Sequence, residues 1–391
     1  MQITGAVLET SGAEAPFARS RPFTVGTLEL DPPGTGELLV RIEAAGVCHS
    51  DLSVVDGNRR RPTPMLLGHE ASGIVEQVGV GVTDVAVGTR VVMTFLPRCG
   101  ACPECASDGR LPCRTGSAAN AEGTLVGGGI RLHRDGETVH HHLGVSAFAS
   151  HAVVSRTSVV PVDDDVPAEV AALLGCAVLT GGGAVINAGR PAPDSRVTVV
   201  GLGGVGMAAL LVAVALGHEV IGVDALPAKL ETAMSLGASA AYAPDEAVRA
   251  ASGTDAGSRA GTGTGTGPTS PADAAARAPL VIEAAGSARA FETAFALTAP
   301  GGTTVTVGLP APDARATLSP LTLTAEARTV IGSYLGSAVP ARDIPRYVEL
   351  WRAGRLPLER LVSSRIRLDE LDTAMDRLAA GGELRQLITL G

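Results

Sequence analysis

The segment from Val197 to Asp224 constrains the fold more than any other. Val197-Thr198-Val199-Val200 has the β-branched run of a buried strand, Gly201-Leu202-Gly203-Gly204-Val205-Gly206 follows as a glycine turn, and Met207 to Leu216 has the apolar content of a buried helix. Val220-Ile221-Gly222-Val223 is then a second strand, closing on the acid Asp224. Strand, GxGxxG turn, helix, strand and acid in this order predict a doubly wound parallel sheet that binds a dinucleotide. The glycines have separate tasks: Gly201 makes the tight turn, Gly203 lets a pyrophosphate approach the backbone, and Gly206 lets helix and strand pack closely. Gly204 and Val205 lie at the mouth of the helix, where backbone N–H groups favour an anion. Asp224 would accept hydrogen bonds from ribose hydroxyls and repel a 2′-phosphate, which favours NAD over NADP.

The run from Val197 to Gly217 is uncharged and long enough for a bilayer, but its glycines and its Gly217-His218-Glu219 end suit strand, turn and buried helix better. No membrane association is expected. A chain of 391 residues should hold two or three domains. Its 40 acidic and 31 basic side chains give a net charge of −9, which argues against nonspecific nucleic-acid binding. The start MQITGAVLETSGAEAPFARS lacks the order of basic, apolar and small residues that marks a leader, so a cytoplasmic location is expected.

Up to about residue 177, short β-rich stretches (Leu38 to Ile42, Gly73 to Val78, Arg90 to Met93, Ala152 to Val154) alternate with turn residues, as in a mostly antiparallel β domain. From 178 to 330, strands such as Leu280 to Glu283 and Thr303 to Val307 alternate with helical patterns such as Ala228 to Leu236, as in a parallel sheet covered by helices. The fold class is therefore α/β. The tail from Arg342 reads as helical with one strand at its end. Residues 251–277, ASGTDAGSRAGTGTGTGPTSPADAAAR, have no large apolar side chain with which to build a core and read as a flexible surface excursion.

Cys99, Cys102, Cys105 and Cys113 form the pattern CxxCxxCx7C among glycines and prolines that let the backbone wrap around a point. Four thiolates so spaced suit a closed tetrahedral zinc site that holds a loop and does no chemistry. An iron–sulfur cluster is the other use of such a set, while disulfides are disfavoured in a reducing compartment. Cys48 and Cys176 remain, with His69 a third donor in Gly68-His69-Glu70. Two thiolates and a neutral imidazole would leave one zinc position open, as a catalytic site requires. Taken singly, a buried cysteine is usually a small hydrophobe and a loop histidine usually a surface group.

Together these patterns resemble the zinc-dependent medium-chain alcohol dehydrogenases over nearly the whole chain, most closely their long-loop, two-zinc branch. The resemblance is carried by CHSD at Cys48, GHEASGIVEQVG at Gly68, the four-cysteine lobe within 95–115, HHHLGVSAFASHAVV at His140, GC at Gly175 and GLGGVG at Gly201. It implies a discontinuous GroES-like catalytic domain, residues 1–177 and 331–391, around a Rossmann coenzyme domain at 178–330. It also implies two Zn2+ per chain, NAD and a homodimer. Residue by residue, Cys48, His69 and Cys176 are implied as catalytic zinc ligands, Glu70 as a carboxylate able to visit the metal, and Asp51 as the acid that orients His69. Ser50 is implied as the hydroxyl that accepts the alcohol proton, Thr180 as a neighbour of the nicotinamide, and His49, Lys229 and Arg385 as coenzyme contacts.

The implied reaction is hydride transfer between NAD(H) and a primary alcohol/aldehyde pair, aromatic or anionic substrates included. Phe95, His142, Leu143, Leu309 and Tyr334 fall near family pocket positions; His142 is polar where relatives are more often apolar, and would offer a substrate hydrogen bond. Arg59-Arg60-Arg61 is either a solvated run or an attractor of anionic substrates. The chain departs from many relatives at Ser53, where a histidine would finish the proton path; serine is no base near neutral pH, so the path must end in water or another group. Two alternatives stand beside this reading: oxidation of a formaldehyde–thiol adduct, for which peptide anchors are not evident, and a zinc-stabilised nucleotide-binding protein without turnover.

Overall fold

The computed structural model describes residues 1–252 and 277–390, so the excursion read over 251–277 lies, apart from 251, 252 and 277, outside the described residues. The chain divides into two units, one of Met1–Leu179 with Ser337–Gly391 and the other of Thr180–Gly336. The sequence reading put these boundaries at 177/178 and 330/331. The first falls inside a helical run, Ala168–Gly189, that continues through it, Gly181 to Gly183 included, and the second waits for the last strand of the sheet, Thr329–Gly332, to finish. That helical run is long and apolar enough to cross a membrane, yet 83% of its apolar window is buried inside the protein, as in a core helix.

The unit Thr180–Gly336 holds a six-stranded sheet in the order Ala240–Tyr242, Glu219–Val223, Arg196–Val200, Ala278–Glu283, Thr298–Thr306 and Thr329–Gly332, with every pairing parallel. Numbered from Arg196–Val200 this is 3-2-1-4-5-6, the doubly wound order. The strand order reverses beside Arg196–Val200, so the loop that follows it, Gly201 to Gly203, opens at the switch point where such sheets bind ligands. Val200, Ile221, Val223, Val281 and Leu297 share its core, each worth about 1.5–3 kcal/mol when fully buried. The helix after the turn runs Gly204–Ala215, starting earlier than its apolar content suggested because Gly203, in extended conformation, is its N-cap.

The other unit combines a closed barrel of Gln2–Leu8, Phe23–Leu30, Leu132–Arg134, Glu137–His141 and Met65–Leu66 with a sheet ordered Val159–Val162, Arg90–Met93, Glu70–Val78, Glu37–Val47, Arg385–Thr389 and Val362–Ile366. The C-terminal return enters here. Arg385–Thr389 pairs antiparallel with Glu37–Val47 and parallel with Val362–Ile366. The tail thus has two strands, not the one expected. Val362–Ile366 reads VSSRI and sits at the sheet edge with alternate residues exposed, so no apolar run announces it. Glu37–Val47 lies at the centre of this sheet, and its end delivers Cys48.

Candidate active site

Cys48 stands where the central strand Glu37–Val47 ends and the short helix His49–Val55 begins. Asp51, in the first turn of that helix, accepts the Cys48 backbone N–H at 3.0 Å, so the bend that presents the thiol is held by the same acid that serves its neighbour. His69 lies just before strand Glu70–Val78, and Cys176 sits in a π-helical turn, Leu174–Val178, within the long core helix. Such a turn widens the helix locally and is common where a side chain has work to do.

These three segments bring Cys48 Sγ, His69 Nε2 and Cys176 Sγ together, with all three donor atoms within 4.8 Å of one another and all three residues buried. Cys176 Sγ is 3.5 Å from His69 Nε2. Zinc bonded to sulfur at about 2.3 Å and nitrogen at about 2.0–2.1 Å in tetrahedral geometry separates those atoms by about 3.6 Å, so the donor set and spacing fit the metal with one position left over. His69 Nδ1 meets Asp51 Oδ1 at 3.0 Å, which fixes the ring and leaves Nε2 facing the thiols. Burial, the largest single influence, pushes the Asp51 carboxyl upward, but the charge and hydrogen bonding of His69 and His142 together outweigh it and hold Asp51 well below the usual carboxylate range. A hydrogen bond from Cys176 lowers the Cys48 thiol well below its ordinary value, as befits a thiolate ligand.

Glu70 and Arg385 complete this cluster. Arg385 is only 2% exposed, with Nε 3.4 Å from Glu70 Oε1, so it is not a solvated surface charge. Its guanidinium lies beside Glu70 and Cys48. Burial pushes the Glu70 carboxyl up to about 7, against the pull of Arg385. Phe95 and His142 each meet the His69 ring edge to face, at 5.6 and 5.5 Å between centroids. His142, expected to reach toward a substrate, is 1% exposed and has Nδ1 3.3 Å from Asp51 Oδ1. Its contact is therefore with the acid that orients His69, which no local sequence signal announces. Leu143 is buried and adopts φ +53° in the turn after His142. Ser50 is half-buried and His49 exposed at the start of their helix. Ser53, the residue in the relay histidine's place, donates its hydroxyl to the His49 carbonyl at 2.8 Å. Arg60 is exposed and Arg59 and Arg61 are half-buried.

The four-cysteine lobe is a second donor cluster. Cys99 to Cys105 is 4.0 Å between sulfurs and Cys102 to Cys113 is 3.9 Å, and all four lie within 4.8 Å of one another. Tetrahedral thiolates at about 2.3 Å from a zinc ion would be about 3.8 Å apart. All six cysteines are free of disulfides. Cys113 Sγ also accepts the backbone N–H of Cys99 at 3.3 Å and of Gly116 at 3.4 Å, and hydrogen bonding from the Ala101 backbone lowers the Cys99 thiol to about 6.

In the other unit, Gly201 has φ +90°, and a Cβ there would lie 2.5 Å from the Ala285 nitrogen, so only glycine makes this turn. A Cβ on Gly203 would meet nothing within 4 Å, which leaves the backbone open to a phosphate at the mouth of the helix. Gly204, Val205 and Gly206 form the first turn of that helix. Asp224 ends the second strand, accepts Leu202 N–H at 2.7 Å and Leu226 N–H at 3.0 Å, and has Lys229 Nζ at 3.9 Å. The turn and the acid are thus locked to each other. Thr180 is buried and Leu309 is 47% exposed; both, with Tyr334, belong to this unit, whereas Phe95, His142 and Leu143 belong to the other.

The chain matches two family models, "Alcohol dehydrogenase GroES-like domain" over residues 34–164 and "Zinc-binding dehydrogenase" over residues 204–352. It is 36% identical over 391 residues to the NDMA-dependent alcohol dehydrogenase of Amycolatopsis methanolica, covering 99% of both chains. It is 33% identical over 372 residues to alcohol dehydrogenase B of Mycobacterium tuberculosis, covering 94% of this chain and 95% of the relative. The crystal structure of benzyl alcohol dehydrogenase from Acinetobacter calcoaceticus superposes with a TM-score of 0.86 at 30% identity, covering all of both chains. The chain therefore belongs to the zinc-dependent medium-chain alcohol dehydrogenases, oxidoreductases that act on alcohols.

Proposed function

We propose that this chain transfers hydride between a primary alcohol, aromatic or anionic ones included, and NAD, as a cytoplasmic homodimer holding two zinc ions per chain. The observation that carries the reading is the convergence of two thiols and one imidazole from distant segments, 3.5 Å apart at Cys176 and His69, with no fourth donor grouped with them among the described residues. Cys48, His69 and Cys176 would hold the catalytic zinc, and Cys99, Cys102, Cys105 and Cys113 the structural one. Bound there, the first zinc supplies the Lewis acidity that acidifies an alcohol, and NAD supplies the hydride acceptor.

The chain's own groups do the rest. Asp51 accepts the Nδ1 hydrogen of His69 and so keeps Nε2 available as a ligand. Ser50 takes the alcohol proton at its hydroxyl oxygen and passes its own outward. Ser53 cannot take that proton as a base, and its hydroxyl hydrogen is already given to the His49 carbonyl, so the proton leaves to water. The glycine turn holds the pyrophosphate, Asp224 the adenosine ribose, and its negative charge disfavours a 2′-phosphate.

The test is zinc content per chain by elemental analysis, together with absorbance of reduced nicotinamide on adding benzylic, aliphatic and carboxylated alcohols with NAD or NADP. Two zinc ions and NAD-linked oxidation of at least one class are expected. A single zinc confined to the four-cysteine lobe, with full turnover, would sink the assignment. Because a relative is NDMA-dependent, each alcohol is also assayed with NDMA added; oxidation seen only then favours NDMA as acceptor over free NAD.

A further inference from the structure

We propose that His142 is a positioning residue for His69, acting through Asp51; the inference rests on the reading of Cys48, His69 and Cys176 as a zinc site. Asp51 is wholly buried, and the protein surrounds its carboxylate with N–H groups. Oδ2 accepts from Cys48 N at 3.0 Å. Oδ1 accepts from His69 Nδ1 at 3.0 Å and from Gly68 N at 3.3 Å, and His142 Nδ1 stands 3.3 Å from the same oxygen. The His142 approach lacks the alignment of a formed hydrogen bond, so with the ring hydrogen on Nδ1, the tautomer that suits a facing carboxylate, what it applies to Oδ1 is the positive edge of a dipole.

The His142 ring is itself fixed. Its backbone N–H donates to Ser146 Oγ at 2.9 Å, its carbonyl accepts from Val145 N at 3.1 Å, and it meets the His69 ring at 88°. A full charge out of water is sensitive to each dipole near it, because the surroundings screen little. Removing this one leaves Oδ1 with two partners in place of three, and the carboxylate freer to tilt away from His69. The imidazole then holds its Nε2 against the thiols less firmly.

The test is the rate at which the purified, zinc-loaded protein releases metal to a chelating dye, for wild type, His142→Phe, His142→Asn and His142→Gln. The Asn amide nitrogen can stand where Nδ1 stands, whereas that of Gln mimics Nε2. His142→Phe and His142→Gln should release the trio's zinc about tenfold faster than wild type, the low end of the effect of outer partners on metal affinity, with His142→Asn close to wild type. Zinc in the four-cysteine lobe should leave at an unchanged rate in every variant, and an unchanged thermal midpoint reports that the fold is intact. Should His142→Phe disturb the fold, the ratio of Asn to Gln decides alone. Equal release from wild type and His142→Phe, or from Asn and Gln, overturns the proposal; in particular, a His142 that serves only to touch substrate would change which alcohols react and leave release alone. A wild-type protein that carries zinc in the lobe and none in the trio defeats the metal reading itself, and this inference with it.

Discussion

The two sulfur clusters of this protein are built in opposite ways. Cys99, Cys102, Cys105 and Cys113 come from one short loop, four donors of one kind, three of them partly exposed. Cys48, His69 and Cys176 come from a strand end, a loop and a core helix, three donors of two kinds, all buried. A local loop closes around its metal at little entropic cost and needs little support from the rest of the fold. The dispersed trio exists only when the sheet and the core helix are already in place, and it carries a retinue of polar partners: Asp51 on His69, Cys48 and Gly68, and Arg385 on Glu70. A set that saturates its metal contributes folding energy, whereas a set one donor short takes its rigidity from the scaffold.

Deleting one thiol from each cluster should break the comparison most visibly. Cys176→Ala should lower kcat/KM by at least about a thousandfold, since an open metal site supplies several kcal/mol of transition-state stabilisation and each 1.36 kcal/mol is a factor of ten. The thermal midpoint should move little. Cys105→Ala should do the reverse, with a depressed midpoint and the surviving folded fraction still turning over. Paired melting curves and assays of the two variants decide the matter, and two alike profiles would mean that both clusters serve the same end.

A smaller effect should separate the clusters by their surroundings. Asp51→Asn keeps the shape of the acid but removes the charge that holds His69, and should cost about 10–100-fold in zinc affinity of the trio or in activity. The lobe has a comparable outer pair in Glu104 and Arg114, but it is solvent-facing, with Arg114 Nη2 2.7 Å from Glu104 Oε1. Arg114→Ala should leave zinc retention within about twofold of wild type, in line with the small worth of exposed ion pairs. Competition against a chelator, read separately for the two sites, checks both.

The same contrast explains what the amino-acid sequence alone discloses. The lobe and the glycine turn are contiguous in sequence, and their spacing alone encodes the geometry that Cys99 and Cys102, or Gly201 and Gly203, must adopt. The trio was legible only through resemblance, because nothing local says that residues 48, 69 and 176 will meet. The edge strand Val362–Ile366 escaped because an edge can be polar, and the boundary at Leu179 because the helix runs through it. The approach of His142 to Asp51 depends on how a turn with Leu143 at φ +53° aims one ring, a matter of backbone conformation that residue types do not disclose.

The buried polar scaffold around the trio also makes a claim about acid. His141, the residue before His142, is buried in the barrel; its Nε2 accepts the Arg131 backbone N–H at 3.1 Å, and burial lowers its pKa to about 3. An unfolded histidine titrates near 6.5, so between about pH 6.5 and 3 the unfolded chain binds a proton that the folded one refuses. Stability from this group is therefore complete above pH 6.5 and is lost as the pH falls. Lowering the pH from 7.5 to 5.5, one unit below the unfolded value, should cost about 1.4 kcal/mol through His141 alone. His141→Gln keeps an acceptor for Arg131 but cannot charge. Urea unfolding of wild type and His141→Gln at pH 7.5 and 5.5 isolates the difference, with the wild type losing more stability by that amount. Equal losses in the two proteins would mean that His141 is protonated in the fold without penalty, and that the frame behind the dispersed cluster is wetter than its burial implies.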